Sequence, residues 1–151
     1  MPDIILRRLE TPDVARFIEM RIDQLVEEGA RPTRDLAPAL YAYYEKHMAD
    51  ESFVSWIALS GEGIVATSGL SFVERPPTYG NPDGKLGILS SMYTRPGYRR
   101  RGLARALLGK IAEEARARGC GGVQITASEM GVSFYENFGF RKNDRFLEFR
   151  L

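Results

Sequence analysis

The residues with the clearest chemical purpose run from Tyr93 to Leu108, YTRPGYRRRGLARALL. Strand-like residues end at Thr94, and Pro96 and Gly97 stop extended structure. Arg99, Arg100 and Arg101 follow in a row, and Gly102 opens a run patterned as a helix. A helix start carries unpaired N–H groups and the positive end of the helix dipole, so it draws anions. Gly102 removes a Cβ where a ligand would approach the backbone, Ala104 keeps the next turn slim, and Arg105 adds charge one turn on. Together they describe a phosphate or pyrophosphate cradle between a strand and a helix. Two familiar cradles do not fit. Gly97 and Gly102 have the P-loop spacing, but Leu103 and Ala104 stand where Lys and Ser/Thr are required, and the three-glycine dinucleotide fingerprint is absent. On charge alone, a solvated Arg-rich loop before an ordinary helix is the plain alternative.

The elements that must position this loop are legible from periodicity. Ile4 to Leu9 reads as a first strand. Thr11-Pro12 then reads as an N-cap and first helical residue, with Val14, Phe17, Ile18, Ile22, Leu25 and Val26 as the apolar stripe and Gly29 as the stop. A second helix starts near Asp35, with Leu36, Leu40, Tyr43, Tyr44, His47 and Met48 on one side. Phe53 to Leu59 and Ile64 to Val73 flank the turn Ser60-Gly61-Glu62-Gly63 and predict an antiparallel hairpin. Glu74 to Gly84 is a loop, and Lys85 to Thr94 a strand. Gly102 to Arg118 is a strongly amphipathic helix, with Leu103, Leu107, Ile111 and Ala115 in one row. Gly122 to Thr126 is a short strand, Ser128 caps a helix through Phe138, and Arg145 to Leu151 alternates as a final half-buried strand.

The whole chain sets limits. Its 151 residues, 44% apolar and 27% charged, fit one ordered domain spanning 1–151. One cysteine excludes an internal disulfide and a Cys-based zinc site, and suits a reducing compartment. No metal site is expected. No apolar run approaches a membrane span, and Met1 to Arg8, with one Asp and two Arg, does not read as a signal peptide. A net charge of +1 argues against a broad polyanion surface. That balance hides a local excess: between Asp83 and Glu113 stand seven basic residues and no acidic one.

Arg99-Arg100-Arg101-Gly102-Leu103-Ala104 resembles the Arg/Gln-x-x-Gly-x-Gly/Ala signature of the GCN5-related N-acetyltransferases. Met92-Tyr93-Thr94-Arg95-Pro96 is similar to that family's central strand and its exit. Phe134-Tyr135-Glu136-Asn137-Phe138-Gly139-Phe140 is similar to its Phe/Leu-Tyr-Glu-x-x-Gly-Phe ending. The blocks come in order and at the right separation, so the resemblance covers nearly the whole chain. It implies an α/β (α+β) fold: a mixed, mostly antiparallel central sheet flanked by helices. Two central parallel strands, one ending at Thr94 and one at Val123 to Thr126, would splay to admit acetyl-CoA. It also implies roles. The backbone at Met92, Tyr93 and Thr94 would pair with the pantetheine arm like an added strand. The N–H groups of Arg99, Arg100, Arg101, Gly102, Leu103, Ala104 and Arg105 would hold the pyrophosphate. The amide behind Met92 would polarise the thioester carbonyl, and Tyr135 would protonate the departing thiolate.

Two departures stand out. Ser128 occupies the place where many members carry an Asn that bonds the pantetheine arm; its hydroxyl can serve instead. Gly87 to Ser91 offers no Glu as a base on the central strand, and Glu74, Asp83 and Glu129 are the nearest acidic residues by sequence. The loop Glu74 to Gly84 is expected to shape the acceptor pocket. Tyr41, Tyr43 and Tyr44 are candidates for lining it, with at least two of them core. His47 reads as a packed histidine, Cys120 as incidental and Trp56 as sheet core.

The resemblance therefore implies a cytoplasmic N-acetyltransferase. It would pass the acetyl group of acetyl-CoA to a primary amine of a small molecule or peptide, by direct attack in a ternary complex. Neither nucleic acid nor membrane is an expected partner; a homodimer is common in such a family. The alternative is an acyl-CoA-binding sensor without catalysis. A nucleic-acid surface is disfavoured because the arginines sit in one short loop without interleaved stacking aromatics beyond Tyr98.

Overall fold

Alternating runs in the first two-thirds of the chain form an antiparallel sheet, and one short parallel strand joins its edge. The computed structural model describes residues 3–61 and 63–151; Met1, Pro2 and Glu62, the last inside the expected Ser60–Gly63 turn, lie outside the described residues. The strands are β1 (Ile5–Arg8), β2 (Phe53–Val54), β3 (Trp56–Ser60), β4 (Gly63–Glu74), β5 (Lys85–Thr94) and β6 (Val123–Gln124). The helices are α1 (Val14–Glu27), α2 (Ala37–Ala49), α3 (Leu103–Ala117) and α4 (Val132–Phe138). Short 3-10 turns at Thr11–Asp13, Pro96–Tyr98 and Glu129–Gly131 lead into α1, the arginine loop and α4. The sheet order is β1-β3-β4-β5-β6, with β2 also on β4. Every pairing is antiparallel except β5 with β6. Among the described residues no helix is long and apolar enough to cross a membrane.

Successive strand residues point to opposite faces, and the core divides accordingly. Ile57 and Ile64 pack with Phe17, Ile18 and Met20 of α1 and with Tyr44 of α2. Their neighbours Ala58 and Val65 pack with Leu107 of α3. Further along the second face, Leu70 and Leu89 meet Leu108, Ile111 and Ala115 of α3 and Tyr135 of α4. So α1 and α2 cover one face, and α3 and α4 the other.

Three expectations change. The strand expected over Phe53 to Leu59 breaks at Ser55, which turns its hydroxyl onto the Ser68 carbonyl. Ser68 Oγ in turn accepts the Trp56 N–H at 3.1 Å and donates to the Trp56 carbonyl at 2.7 Å. These buried polar atoms satisfy one another. The entry to α1 uses Asp13 rather than Thr11: Asp13 Oδ2 accepts the Glu10 N–H at 2.9 Å. The expected final strand is absent. Arg145 to Leu151 forms no regular structure, and Phe146, Leu147, Phe149 and Leu151 are exposed. A strand needs a neighbour for its backbone, and the segment has none in the single chain.

Arg7 fastens β1 to the start of α1 by two bonds to Asp13, at 2.7 and 2.9 Å. The hydrogen bond from Arg7 holds the Asp13 carboxyl below its ordinary range. A depressed folded pKa contributes stability above the unfolded value of about 3.9, and that contribution is lost as pH falls through the lower folded value. Arg7→Ala should cost about 1 kcal/mol at pH 7, since the pair is partly exposed. That corresponds to a melting temperature roughly 2–4 °C lower. The gap between variant and wild type should close as melts are run below about pH 4.

Candidate active site

The site begins with an irregularity in β5. Thr67 pairs with Tyr93 and Gly69 with Ser90, so Ser91 and Met92 together oppose Ser68. This is a β-bulge, which bends the strand carrying the extra residue. Ser91 takes a φ of 59°, a left-handed conformation costly for a residue with a Cβ. Two side chains hold it there. Thr67 Oγ1 donates to the Ser91 carbonyl at 2.7 Å, and Gln24 Nε2, reaching from α1, donates to the Met92 carbonyl at 3.1 Å. Parallel pairing with β6 covers only Gly87 with Val123 and Ile88 with Gln124. Past that point β5 borders a groove instead of a strand.

The groove comprises two adjoining cavities of about 490 and 600 Å3, both lined by Gln24, Glu28, Met92, Thr94, Ser128 and Phe134. One end is the start of α3. Gly102 has a φ of +78° and caps the helix; a Cβ there would meet no atom within 4 Å, so conformation rather than space requires glycine. Among the described residues, the N–H groups of Gly102, Leu103, Ala104 and Arg105 find no acceptor in the chain. Four free donors at the positive end of a 15-residue helix suit a diphosphate.

The arginines divide their work. Arg99 is engaged: its Nε donates to the Thr94 carbonyl at 2.8 Å and its guanidinium to Glu27 at 3.1 Å. Tyr93 Oη donates to the same Glu27 at 2.8 Å, and the Arg99 guanidinium lies 5.6 Å from the centre of the Tyr93 ring. Arg99 and Tyr93 thus tie the end of α1 to the rim of the groove. Arg100 lines the groove, Arg105 does so while resting over Phe138, and Arg101 rests over Tyr98. Arg101 is the one expected binding residue that lines neither cavity.

Tyr135 stands at the other end, buried, with Phe134 and Phe140 packed edge-on against its ring. Burial, and then the charge of Glu28, push its phenol up to about 12. Gly131 makes room for that ring: a Cβ there would sit 3.3 Å from it and 3.2 Å from Ser128 Oγ. The Ser128 carbonyl accepts the Gly131 N–H at 2.9 Å, while its hydroxyl makes no capping bond and lines both cavities.

Arg21, Gln24 and Glu28 were not singled out from sequence. They continue the row Val14, Phe17 along α1, and the signal is a core-facing row that turns polar in its second half. Among the described residues Glu28 is the carboxylate lining both cavities; Glu74, Asp83 and Glu129 line neither. The loop Glu74 to Gly84 also lines neither. It packs at the other end of β5, where Asn81 donates to the Lys85 carbonyl at 2.9 Å and lies close over Gly121. Tyr44 is core, Tyr41 and Tyr43 are partly exposed, and none of the three lines the groove. His47 bonds Ser52 Oγ at 2.6 Å beneath the Tyr43 ring, away from the groove.

Comparison with known proteins agrees with this geometry. Residues 16–140 match the model of the acetyltransferase (GNAT) family. A glucosamine 6-phosphate N-acetyltransferase from Trypanosoma brucei brucei is 29% identical over 143 residues, covering 95% of this chain and 92% of that protein. A predicted acetyltransferase from Clostridium acetobutylicum, solved with acetyl-CoA, is 32% identical with a TM-score of 0.94, covering 98% of this chain and 96% of that one. A GCN5-related N-acetyltransferase from Ralstonia eutropha JMP134 is 27% identical with a TM-score of 0.82, covering 97% of each chain. A splayed sheet, a helix start with free donors and a match over most of its length place the chain in the acetyltransferase (GNAT) family, as an acetyl-CoA-dependent N-acetyltransferase.

Proposed function

We propose that the chain acetylates a small primary amine by direct attack, with the amine held at the Arg21–Glu28 end of the groove. The supporting observation is that a buried phenol, Tyr135, and a carboxylate, Glu28, line the cavity that adjoins the row of free N–H donors. Acetyl-CoA supplies an activated acetyl thioester when bound. The donors from Gly102 to Arg105, with Arg100 and Arg105, hold its pyrophosphate. Met92, Tyr93 and Thr94 give backbone to the pantetheine arm, and Ser128 adds a hydroxyl. The Met92 amide is the donor toward the thioester oxygen, fixed in place by the bulge before the reaction starts.

Glu28 receives the acceptor's ammonium and takes its proton, leaving the nitrogen free to attack. Tyr135 Oη keeps its proton at neutral pH and delivers it to the leaving sulfur, a role that suits a phenol held near 12. No acyl-enzyme is needed. Cys120 lines neither cavity, and burial pushes its thiol up. Arg21 offers a place for an anionic group on the acceptor. Glucosamine 6-phosphate, the substrate in the name of the trypanosomal relative, carries both an amine and such a group. The cytoplasm, with its acetyl-CoA and reduced thiols, is the proposed setting, and one domain suffices for the reaction.

Tyr135→Phe should lower kcat about 10²–10⁴-fold with the KM for acetyl-CoA nearly unchanged. Wild-type kcat should show no alkaline loss through pH 10, because the buried phenol stays protonated. A wild type that binds acetyl-CoA yet releases no thiol with any amine in a broad panel would favour the sensor reading instead. Glu28→Gln should lower kcat/KM for the amine at least tenfold while the acetyl-CoA dissociation constant holds. Gly102→Ala places a Cβ at a φ of +78° and should cost about 1 kcal/mol, with a smaller acetyl-CoA-induced rise in melting temperature.

A further inference from the structure

Two consecutive buried hydroxyls on β4 turn to different neighbours. Thr67 is 3% exposed and Ser68 wholly buried. A buried hydroxyl needs a partner, and each finds one on a different strand. Ser68 Oγ is spent on the backbone of Trp56 in β3. Thr67 Oγ1 reaches β5 instead and donates to the Ser91 carbonyl at 2.7 Å. Its own pairing partner is Tyr93, so it sits just beside the bulge that Ser68 opposes. Thr67 lines neither cavity of the groove. Whatever it contributes to the reaction must pass through the peptide it bonds.

That peptide carries the Ser91 carbonyl at one end and the Met92 N–H at the other. The group is planar, with partial double-bond character between carbon and nitrogen. A donor on the oxygen draws electron density toward it, and the N–H at the far end becomes a stronger donor. The same bond fixes the plane of the group, and with it the direction of the N–H. Gln24 braces this stretch too, but on the next peptide: its bond of 3.1 Å goes to the Met92 carbonyl, which shares its group with the Tyr93 N–H. The two braces are therefore not equivalent. Both hold the bulge, and of the two the Thr67 bond alone falls on the group that presents the Met92 N–H.

We infer that Thr67 is a positioning residue for acetyl transfer: its hydroxyl aims and polarises the Ser91–Met92 peptide, and so strengthens the Met92 N–H toward the charge that develops on the thioester oxygen. This rests on the reading of the Met92 amide as the donor to that oxygen. A donor aimed in advance and shielded from water needs no reorganisation when the charge appears. Its gain grows with that charge, so it is larger in the transition state than in the ground state, and it shows in kcat rather than in KM.

Thr67→Val nearly keeps the shape of the side chain and removes the donor; Thr67→Ser keeps the donor. With Thr67→Val, kcat should fall roughly three- to tenfold and the KM for acetyl-CoA stay within about twofold, whereas loss of the N–H donor itself would cost ~10²–10³ in kcat. Thr67→Ser should bring kcat back to within about twofold of wild type. A second readout needs no turnover. In infrared difference spectra of protein loaded with acetyl-CoA isotope-labelled at the thioester carbonyl, the wild-type band should lie below the frequency of free acetyl-CoA. Thr67→Val should move it back toward the free value. If Thr67→Val does not fold, Thr67→Ala takes its place with the same expectations. A wild-type band at the free frequency would show that no donor reaches the oxygen, and would remove the Met92 reading together with this one. A lowered wild-type band that loss of the hydroxyl leaves in place overturns the role of Thr67 alone. So does a variant without the hydroxyl that keeps kcat within about twofold of wild type, whatever its KM, or a Thr67→Ser no faster than that variant.

Discussion

The bulge at Ser91 and Met92 is the constraint from which the rest of the site follows. A regular β5 would stay in register with β4 and run beside β6 along its length, closing the sheet. The extra residue turns β5 away after Ile88, and a groove opens between strands that remain paired at their other end. A non-glycine residue at a φ of 59° costs on the order of 1–2 kcal/mol. Bonds from Thr67 and Gln24 to two successive carbonyls offset that cost. Gln24 is the buried polar residue on the inward row of α1, and its amide braces the bulge. Helix α1 is thus part of the site, although its sequence reads as a scaffold.

The same helix settles the electrostatics. It ends in two consecutive carboxylates, Glu27 and Glu28, beside a loop whose purpose is to attract an anion. Two negative charges there would weaken the cradle. Glu27 is neutralised by Arg99 and further bound by the Tyr93 hydroxyl. That commits Arg99 to Glu27 although it lines the groove, while Arg101 rests over Tyr98 and Arg100 is left facing the groove. Among the described residues Glu28 has no such ion pair; its carboxylate accepts one hydrogen bond, of 3.2 Å, from Gln24. One carboxylate becomes structure, and the adjacent one is left for the proposed chemistry.

What could be read from the sequence depended on whether the signal was local. The arginine loop, Gly102 and the amphipathic helix after it form one continuous stretch, and the structure sets the start of that helix against the groove, with Arg101 turned away from it. Tyr135 was legible for the same reason, inside the FYENFGF run. The bulge was not, because Ser90-Ser91-Met92 is an unremarkable strand sequence and the register shift arises from pairing with β4. Arg21, Gln24 and Glu28 were missed because helical periodicity was read from the apolar residues of α1, while these three share its inward row. The Glu74 to Gly84 loop misled through proximity in sequence: it adjoins β5 at Lys85, and the groove opens toward Thr94. The final strand was misplaced for a different reason. Its pattern is that of a strand, but among the described residues its backbone has no partner, and alternation without pairing makes no strand.

That last point bears on Tyr135. Helix α4 is only seven residues long, too short to hold its own position by helical bonding. Its proposed acid is fixed by what surrounds it: Ser128 and Gly131 at its start, and Phe140 at its end. Gly139, at a φ of +129°, folds the chain back so that the Phe140 ring packs on Tyr135 and the Phe140 N–H bonds the Tyr135 carbonyl. The residues that seat the phenol are therefore the first residues of the path into the C-terminal segment. In this fold the placement of the proposed acid depends on the turn at Gly139-Phe140 as much as on α4 itself.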